Sequence, residues 1–275
     1  MDKYRKLKDV KLIVCDIDNT LVRKRQDLSE RGQQAVRKLK EKGILFGLAS
    51  GRGTKQLHEF AERWGIKCDL LIGMNGAEIQ DGIDNTYELY YKMKKEWLKE
   101  VFEIMAPFEA NAHVDREGML YVTRIDENVA ASMKYAKEKR NIRIVEDRSE
   151  FWQGDAIKAC FRVKADIMPA IEERVAQFPS ENFVGLKTEN TMFEFGNKQA
   201  SKGKALELFC DKHGINIEDT CAFGDMTNDI SMLEAAGIAV CMLNGSDDAK
   251  AVSDIITDKT VDEDGWTVFV EDYIL

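Results

Sequence analysis

Hydrophobic positions along the chain fall into two kinds of segment that alternate. Short apolar runs at Val10 to Cys15, Ile44 to Ala49 and Leu70 to Ile72 read as buried strands. Amphipathic stretches lie between them. In Ser29 to Lys42 the residues Ala35, Val36 and Leu39 share one helical face, Ser29 stands at the N-cap and Gly43 at the stop. Lys55 to Trp64 reads as a second helix. Strand–helix–strand units in series predict a parallel sheet with right-handed crossovers. The rhythm returns towards the C-terminus. There, helices are expected at Ser201 to His213, Ile230 to Ala236 and Asp247 to Ser253, and strands at Thr220 to Phe223, Ile238 to Met242 and Asp254 to Thr257.

The middle of the chain has a different pattern. Helices are expected at Lys94 to Met105, Val129 to Lys139 and Ile167 to Phe178. Ala110 to Val114 and Met119 to Arg124 read as a hairpin around Arg116-Glu117-Gly118, with further strands at Ala156 to Val163, Phe183 to Leu186 and Thr191 to Phe195. All three prolines, Pro107, Pro169 and Pro179, fall here. Strands joined by hairpins predict an α+β domain inserted into a doubly wound α/β domain. The expected division is 1–84 with 192–275 for the parallel-sheet core and 85–191 for the insert.

Composition narrows the class. With 275 residues, 44% of them hydrophobic, the chain can fill one large core or two moderate ones. A net charge of -9 argues against nucleic acid as principal partner, because a phosphate-backbone binder carries a basic surface. A small anionic substrate stays compatible, since a metal or a local basic pocket reverses the field within one site. The six cysteines form no Cys-x-x-Cys pair and several sit in apolar runs, which predicts buried, reduced thiols. Three histidines are too few to expect a histidine-built zinc site. The charged start and the lack of a long apolar window predict a cytoplasmic protein without membrane contact.

The candidate chemistry sits where strands end. Asp16-Ile17-Asp18-Asn19-Thr20 closes the first strand, and in extended chain residues 16 and 18 project to one side. Two acids so close require either a cation between them or a proton on one of them. Ser50-Gly51-Arg52 closes the second strand and offers a hydroxyl and free amides to a phosphate. Arg52 itself reads as an anion contact or as a solvated side chain. Lys202, in Ser201-Lys202-Gly203-Lys204, opposes a helix dipole, which is unfavourable unless an anion partners it. Gly224-Asp225-Met226-Thr227-Asn228-Asp229 follows another strand and carries hard oxygen ligands suited to Mg²⁺. Taken singly, each segment also reads as a turn, a cap or a surface lysine. In a doubly wound sheet, however, loops at the carboxyl ends of the strands converge on one crevice.

In this order the segments resemble the four motifs of the haloacid dehalogenase superfamily, in particular its Cof-like type IIB phosphatases. Asp16, Asp18 and Thr20 match the first motif, Ser50 the second, Lys202 the third, and Gly224, Asp225, Asn228 and Asp229 the fourth. Met74-Asn75-Gly76-Ala77 and Ala235-Ala236-Gly237 also resemble family segments. The resemblance spans essentially the whole chain, resting in the insert on length and strand pattern alone. Two departures stand out: Asn19 replaces a common Gly, and Leu243-Asn244-Gly245 replaces a usual Gly-Asn-Ala.

The resemblance implies a phosphoric monoester hydrolase with a cap domain, acting on small phosphorylated metabolites such as sugar phosphates, as a monomer or homodimer. It implies Asp16 as nucleophile, forming an aspartyl phosphate, and Asp18 as acid and then base, protonated at first because the site is crowded with anions. Mg²⁺ would be held by Asp16, the Asp18 carbonyl and Asp225, with Asp229 in or behind the shell. Ser50, Gly51, Lys202 and Asn228 would contact phosphate. His113, Asp115, Arg124 and Arg143 are the polar residues of the insert expected to meet the leaving group. A phosphomutase with a related cap is the nearest alternative. A dehalogenase would lack the acid at Asp18. A phospho-aspartate signalling module would be smaller and would need neither Asp18 nor a cap.

Overall fold

Strand β1 (Leu12–Asp16) is buried along its whole length and divides its side chains between two cores. Ile13 and Cys15 pack with Phe46, Leu48, Phe223 and Trp266, whereas Leu12 and Val14 pack with Ala49, Leu206, Phe209 and Met232. Strict alternation sends successive side chains to opposite faces, so a strand apolar from Leu12 to Cys15 lies between two helical layers.

The computed structural model describes residues 3–23, 27–116, 119–127, 129–130 and 141–275. It divides into two compact units, Met1–Tyr90 with Ala200–Leu275, and Tyr91–Gln199. The division falls several residues later than the expected junctions near 85 and 191. β5 (Thr86–Leu89) still pairs with β4 (Glu78–Asp81), and β11 (Met192–Asn197) pairs with strands of the smaller unit.

In the larger unit the strand order is β14-β13-β12-β1-β2-β3-β4-β5. β1 pairs in parallel with both β2 (Leu45–Ala49) and β12 (Thr220–Gly224). Beyond β2 lies β3 (Leu70–Gly73); beyond β12 lie β13 (Ile238–Cys241) and β14 (Ile255–Ile256), all parallel. The chain leaves β1 towards β2 and later returns to its other side at β12, so strand order reverses at β1. Helix α1 (Glu30–Glu41) is capped as expected: Ser29 Oγ accepts from the Gly32 amide at 2.9 Å. The expected helices at 55–64 and 201–213 appear as α2 (Thr54–Trp64) and α5 (Lys202–His213). Those at 230–236 and 247–253 appear as α6 (Ile230–Ala235) and α7 (Asp247–Ala251).

Some elements of this unit were not legible as such. β4 and β5 extend the sheet antiparallel from β3, although β4 carries buried Glu78 and Asp81 and β5 is mostly exposed. Neither shows the apolar run that marks the other strands. α8 (Gly265–Tyr273) is rich in β-branched and aromatic residues, yet it is helical. Trp266 packs edge-on to Phe46 at 5.8 Å and Phe269 on Phe223 at 5.5 Å, so tertiary burial overrides local propensity.

The smaller unit is α+β. Its sheet runs β10-β11-β9-β6-β7-β8, built from β6 (Asn111–Arg116), β7 (Met119–Val122), β8 (Asn141–Ile144), β9 (Lys158–Arg162), β10 (Phe183–Glu189) and β11. All neighbours are antiparallel except β7 and β8. β8 had not been expected. Helices α3 (Lys95–Ile104) and α4 (Met168–Ala176) join a separate core in which Phe102 stacks on Phe151 at 4.6 Å and meets Phe161 at 5.0 Å. The hairpin residues Glu117 and Gly118 lie outside the described residues, as does the expected helix at 129–139 beyond Ala130. Among the described residues no helix is long and apolar enough to cross a membrane.

Candidate active site

The register of the sheet brings the motif segments to one edge. Asp16, the last residue of β1, lies opposite Ala49 of β2, and Cys15 lies opposite Phe223 of β12. Ser50 and Asp225 therefore leave the sheet immediately on either side of Asp16, at the reversal of strand order where α/β sheets open a crevice.

Lys202 joins the acids. It is the first residue of α5, fully buried, and its Nζ donates to Asp16 Oδ1 at 2.5 Å and Asp229 Oδ1 at 2.6 Å. The anionic partners that its place at a helix N-terminus required are these two carboxylates. Asp229 uses its other oxygen on the amides of Asp225 and Met226, at 3.0 and 3.1 Å. Gly224 makes that return possible, because a Cβ there would stand 2.5 Å from the Asp229 Cβ. Thr20, fully buried, donates to Asp225 Oδ1 at 2.9 Å. Asp16, Asp225 and Asp229 can bring one carboxylate oxygen each within 4.8 Å of one another.

Electrostatics follow from burial. Burial pushes the Asp16 carboxyl well above its usual range, against the pull of Lys202. Burial and the neighbouring Asp229 raise Asp225 to about 7. Burial alone would depress Lys202, but the charges of Asp16 and Asp229 overcome it and hold the ammonium charged. Three buried carboxylates thus share one buried cation, and the set has capacity for a second. Hard oxygen donors in this arrangement fit Mg²⁺.

Asp18 stands apart from that cluster. Its carboxylate takes a two-pronged contact from Arg52, Nε to Oδ2 at 2.9 Å and Nη2 to Oδ1 at 3.0 Å. The sequence suggested crowding by anions at Asp18; the structure gives it a guanidinium. Arg52 in turn lies over the Phe60 ring at 5.4 Å. Its pairing with Asp18 had no sequence signal, since the two residues meet only through the adjacency of β1 and β2.

The two departures from the family pattern meet each other. Asn19 has φ 68, the left-handed region where Gly is freest and Asn is the next best tolerated. Its carbonyl accepts from Asn244 Nδ2 at 2.9 Å, while Asn244 Oδ1 accepts from the Val261 amide at 2.8 Å. Asn19 is therefore a residue type that tolerates the backbone this loop adopts.

Ser50 is buried, and its Oγ accepts from the Arg52 amide at 3.3 Å. Gly51 lies against the side chain of Asn75, and Asn228 Nδ2 donates to Asn75 Oδ1 at 3.4 Å. The remaining candidates belong to the smaller unit. His113 and Asp115 share one face of β6, Arg124 pairs with Glu109 at 3.8 Å, and Arg143 Nε donates to Glu150 at 2.6 Å.

Comparison with known proteins agrees with this geometry. A family model described as haloacid dehalogenase-like hydrolase matches residues 13–269. The chain belongs to that family. It is 26% identical to a Bacillus subtilis 5-amino-6-(5-phospho-D-ribitylamino)uracil phosphatase, covering 100% of both chains. It is 28% identical to the B. subtilis phosphatase YwpJ, over 93% of this chain and 97% of the other. A solved haloacid dehalogenase-like hydrolase from Bacteroides thetaiotaomicron superposes with TM-score 0.80 at 23% identity, over 96% of this chain and 99% of that one. The haloacid dehalogenase-like chain is thus a Cof-like phosphoric monoester hydrolase with the family's α/β fold.

Proposed function

We propose that this hydrolase removes phosphate from small phosphorylated metabolites through an aspartyl-phosphate intermediate, with Asp16 as nucleophile. The observation that carries the reading is the buried Lys202 clamped between Asp16 and Asp229 beside Asp225. A lysine in that place orients one Asp16 oxygen and leaves Oδ2 without a hydrogen bond among the described residues.

Asp16 Oδ2 attacks phosphorus, and the bond from phosphorus to the ester oxygen breaks. Asp18, which takes up a proton from solvent once the incoming phosphate has drawn Arg52 away, gives it to the departing alkoxide. A water then attacks the phosphoryl group, Asp18 takes the water's proton, and inorganic phosphate leaves with Asp16 restored. Ser50, the amide of Gly51, Lys202 and Asn228 grip the phosphoryl oxygens. Arg52 holds Asp18 in place, and a phosphate dianion arriving between them competes for the guanidinium and frees the acid. Asp16, Asp225 and the Asp18 carbonyl would hold Mg²⁺, with Asp229 behind them. The ion would offset repulsion between carboxylate and phosphate and polarise a phosphoryl oxygen.

Phosphorylated sugars and ribityl compounds are the first substrates to test, because one relative is named for a phosphoribitylamino-uracil. Leaving-group selection is assigned to the smaller unit, through His113, Asp115, Arg124 and Arg143.

The test is free-phosphate release from such a panel with Mg²⁺, in the wild type and in Asp16→Asn, Asp16→Ala and Asp18→Asn. Turnover should fall by roughly 10³-fold or more in the Asp16 variants. Asp16 variants with near-wild-type turnover would sink the nucleophile assignment. Dependence on a bisphosphate activator, with little free phosphate, would instead indicate a mutase.

A further inference from the structure

Between β3 and β4 the chain makes three successive residues of positive φ: Met74 at 51°, Asn75 at 54° and Gly76 at 104°. Left-handed backbone at two residues bearing side chains persists only where the surroundings over-determine it. Here the surroundings are three of the four strand-end segments.

Met74 N donates to the Arg52 carbonyl at 2.8 Å, and Asn75 N to the Ser50 carbonyl at 3.0 Å. The turn thereby holds the Ser50–Arg52 loop by its backbone. Gly76 lies flush against the residue before Lys202, where an added Cβ would stand 2.1 Å from the Ser201 carbonyl oxygen. The Asn75 side chain fills the remaining direction. A Cβ on Gly51 would lie 3.4 Å from both its Nδ2 and its Oδ1, and that Oδ1 accepts from Asn228 Nδ2 at 3.4 Å. Asn75 is half-buried and uncharged.

We propose that Asn75 is a positioning residue, and that the Met74–Gly76 turn sets the spacing between the Ser50 loop, the Lys202 helix start and Asn228. It acts through these groups and does not touch phosphorus. The proposal rests on the phosphatase reading above, because the three segments it joins are those assigned there to the phosphoryl group. Sub-ångström placement of such a grip governs affinity for phosphate.

Asn75→Gly isolates the side chain, since glycine keeps the left-handed backbone and both amide bonds. Gly214→Ala is the control. Its φ of 64° strains an alanine, but nothing lies within 4 Å of the added Cβ. The measurements are kcat and KM with p-nitrophenyl phosphate and Mg²⁺, inhibition by inorganic phosphate, and Tm. Asn75→Gly should raise KM and the phosphate inhibition constant together by about fivefold, the scale of one lost hydrogen bond, at nearly unchanged Tm. Gly214→Ala should lower Tm and leave both constants as in wild type. Gly76→Ala forces a methyl into the Ser201 backbone and should weaken phosphate binding further or prevent folding, so Asn75→Gly carries the test. Wild-type constants in Asn75→Gly, in a preparation whose parent is active, overturn the inference. So does an equal rise in both constants in Gly214→Ala. A wild-type chain that releases no phosphate from any ester overturns the phosphatase reading, and this inference with it.

Discussion

At the scale of the residue, the centre of the molecule is one buried ammonium between two buried acids. A lysine with no exposed surface is tolerated only because Asp16 and Asp229 both reach its Nζ within 2.6 Å. Removing that cation leaves uncompensated carboxylates in a low-dielectric site. Lys202→Met, close in volume, should therefore cost about 3–5 kcal/mol, measured by urea unfolding in EDTA. A loss below about 1 kcal/mol would mean that the acids do not depend on its charge. This lysine was legible because a helix N-terminus disfavours it without an anionic partner, and the motif acids because they recur at the carboxyl ends of strands. Arg52 was not: an arginine in a loop has many uses, and only the folded chain pairs it with Asp18.

At the scale of the element, the antiparallel extension β4–β5 is tied to the end of α5 by charge more than by apolar burial. Asp81, buried on β4, accepts from Lys212 Nζ and pairs with His213 Nε2, both at 2.7 Å, and takes the Ile83 amide at 2.9 Å. Burial raises the Asp81 carboxyl, but these hydrogen bonds outweigh it and bring it down to about 2. Its folded value lies below its unfolded one, so its contribution is present above about pH 4 and lost as pH falls through about 2. Asp81→Ala should destabilise by about 1–3 kcal/mol at pH 7. The gap from wild type should narrow as pH falls below about 4, read by chemical denaturation at a series of pH values. A gap that widens in acid would contradict the assignment. β4 and β5 escaped the hydrophobic pattern for the same reason. Their partners are an ammonium, an imidazole and a neighbouring strand, none of which leaves an apolar run in the sequence.

At the scale of the whole molecule, two units carry separate apolar cores. Phe161 is buried wholly within the smaller unit's core, among Phe102 and Phe195. Phe161→Ala should cost about 3–5 kcal/mol there and leave the larger unit's core untouched. Urea unfolding followed by circular dichroism should become biphasic, with the smaller unit melting first. A single transition shifted as a whole would show instead that the units unfold as one.

The parallel-sheet and α+β segments, their order and the four strand-end constellations were determined by the sequence alone. Hydrophobic period, caps and strand-end chemistry are local, and each is written within a few residues. Tertiary structure decided what depends on partners far along the chain. It made Gly265–Tyr273 a helix, because its aromatic face packs on Phe46 and Phe223. It faced Asp18 with Arg52, because β1 and β2 are neighbours. It also set a turn of two left-handed side-chain residues behind the Ser50 loop. Asn75 and Gly76 favour left-handed backbone locally but Met74 does not, so the packed neighbours specify that residue's conformation.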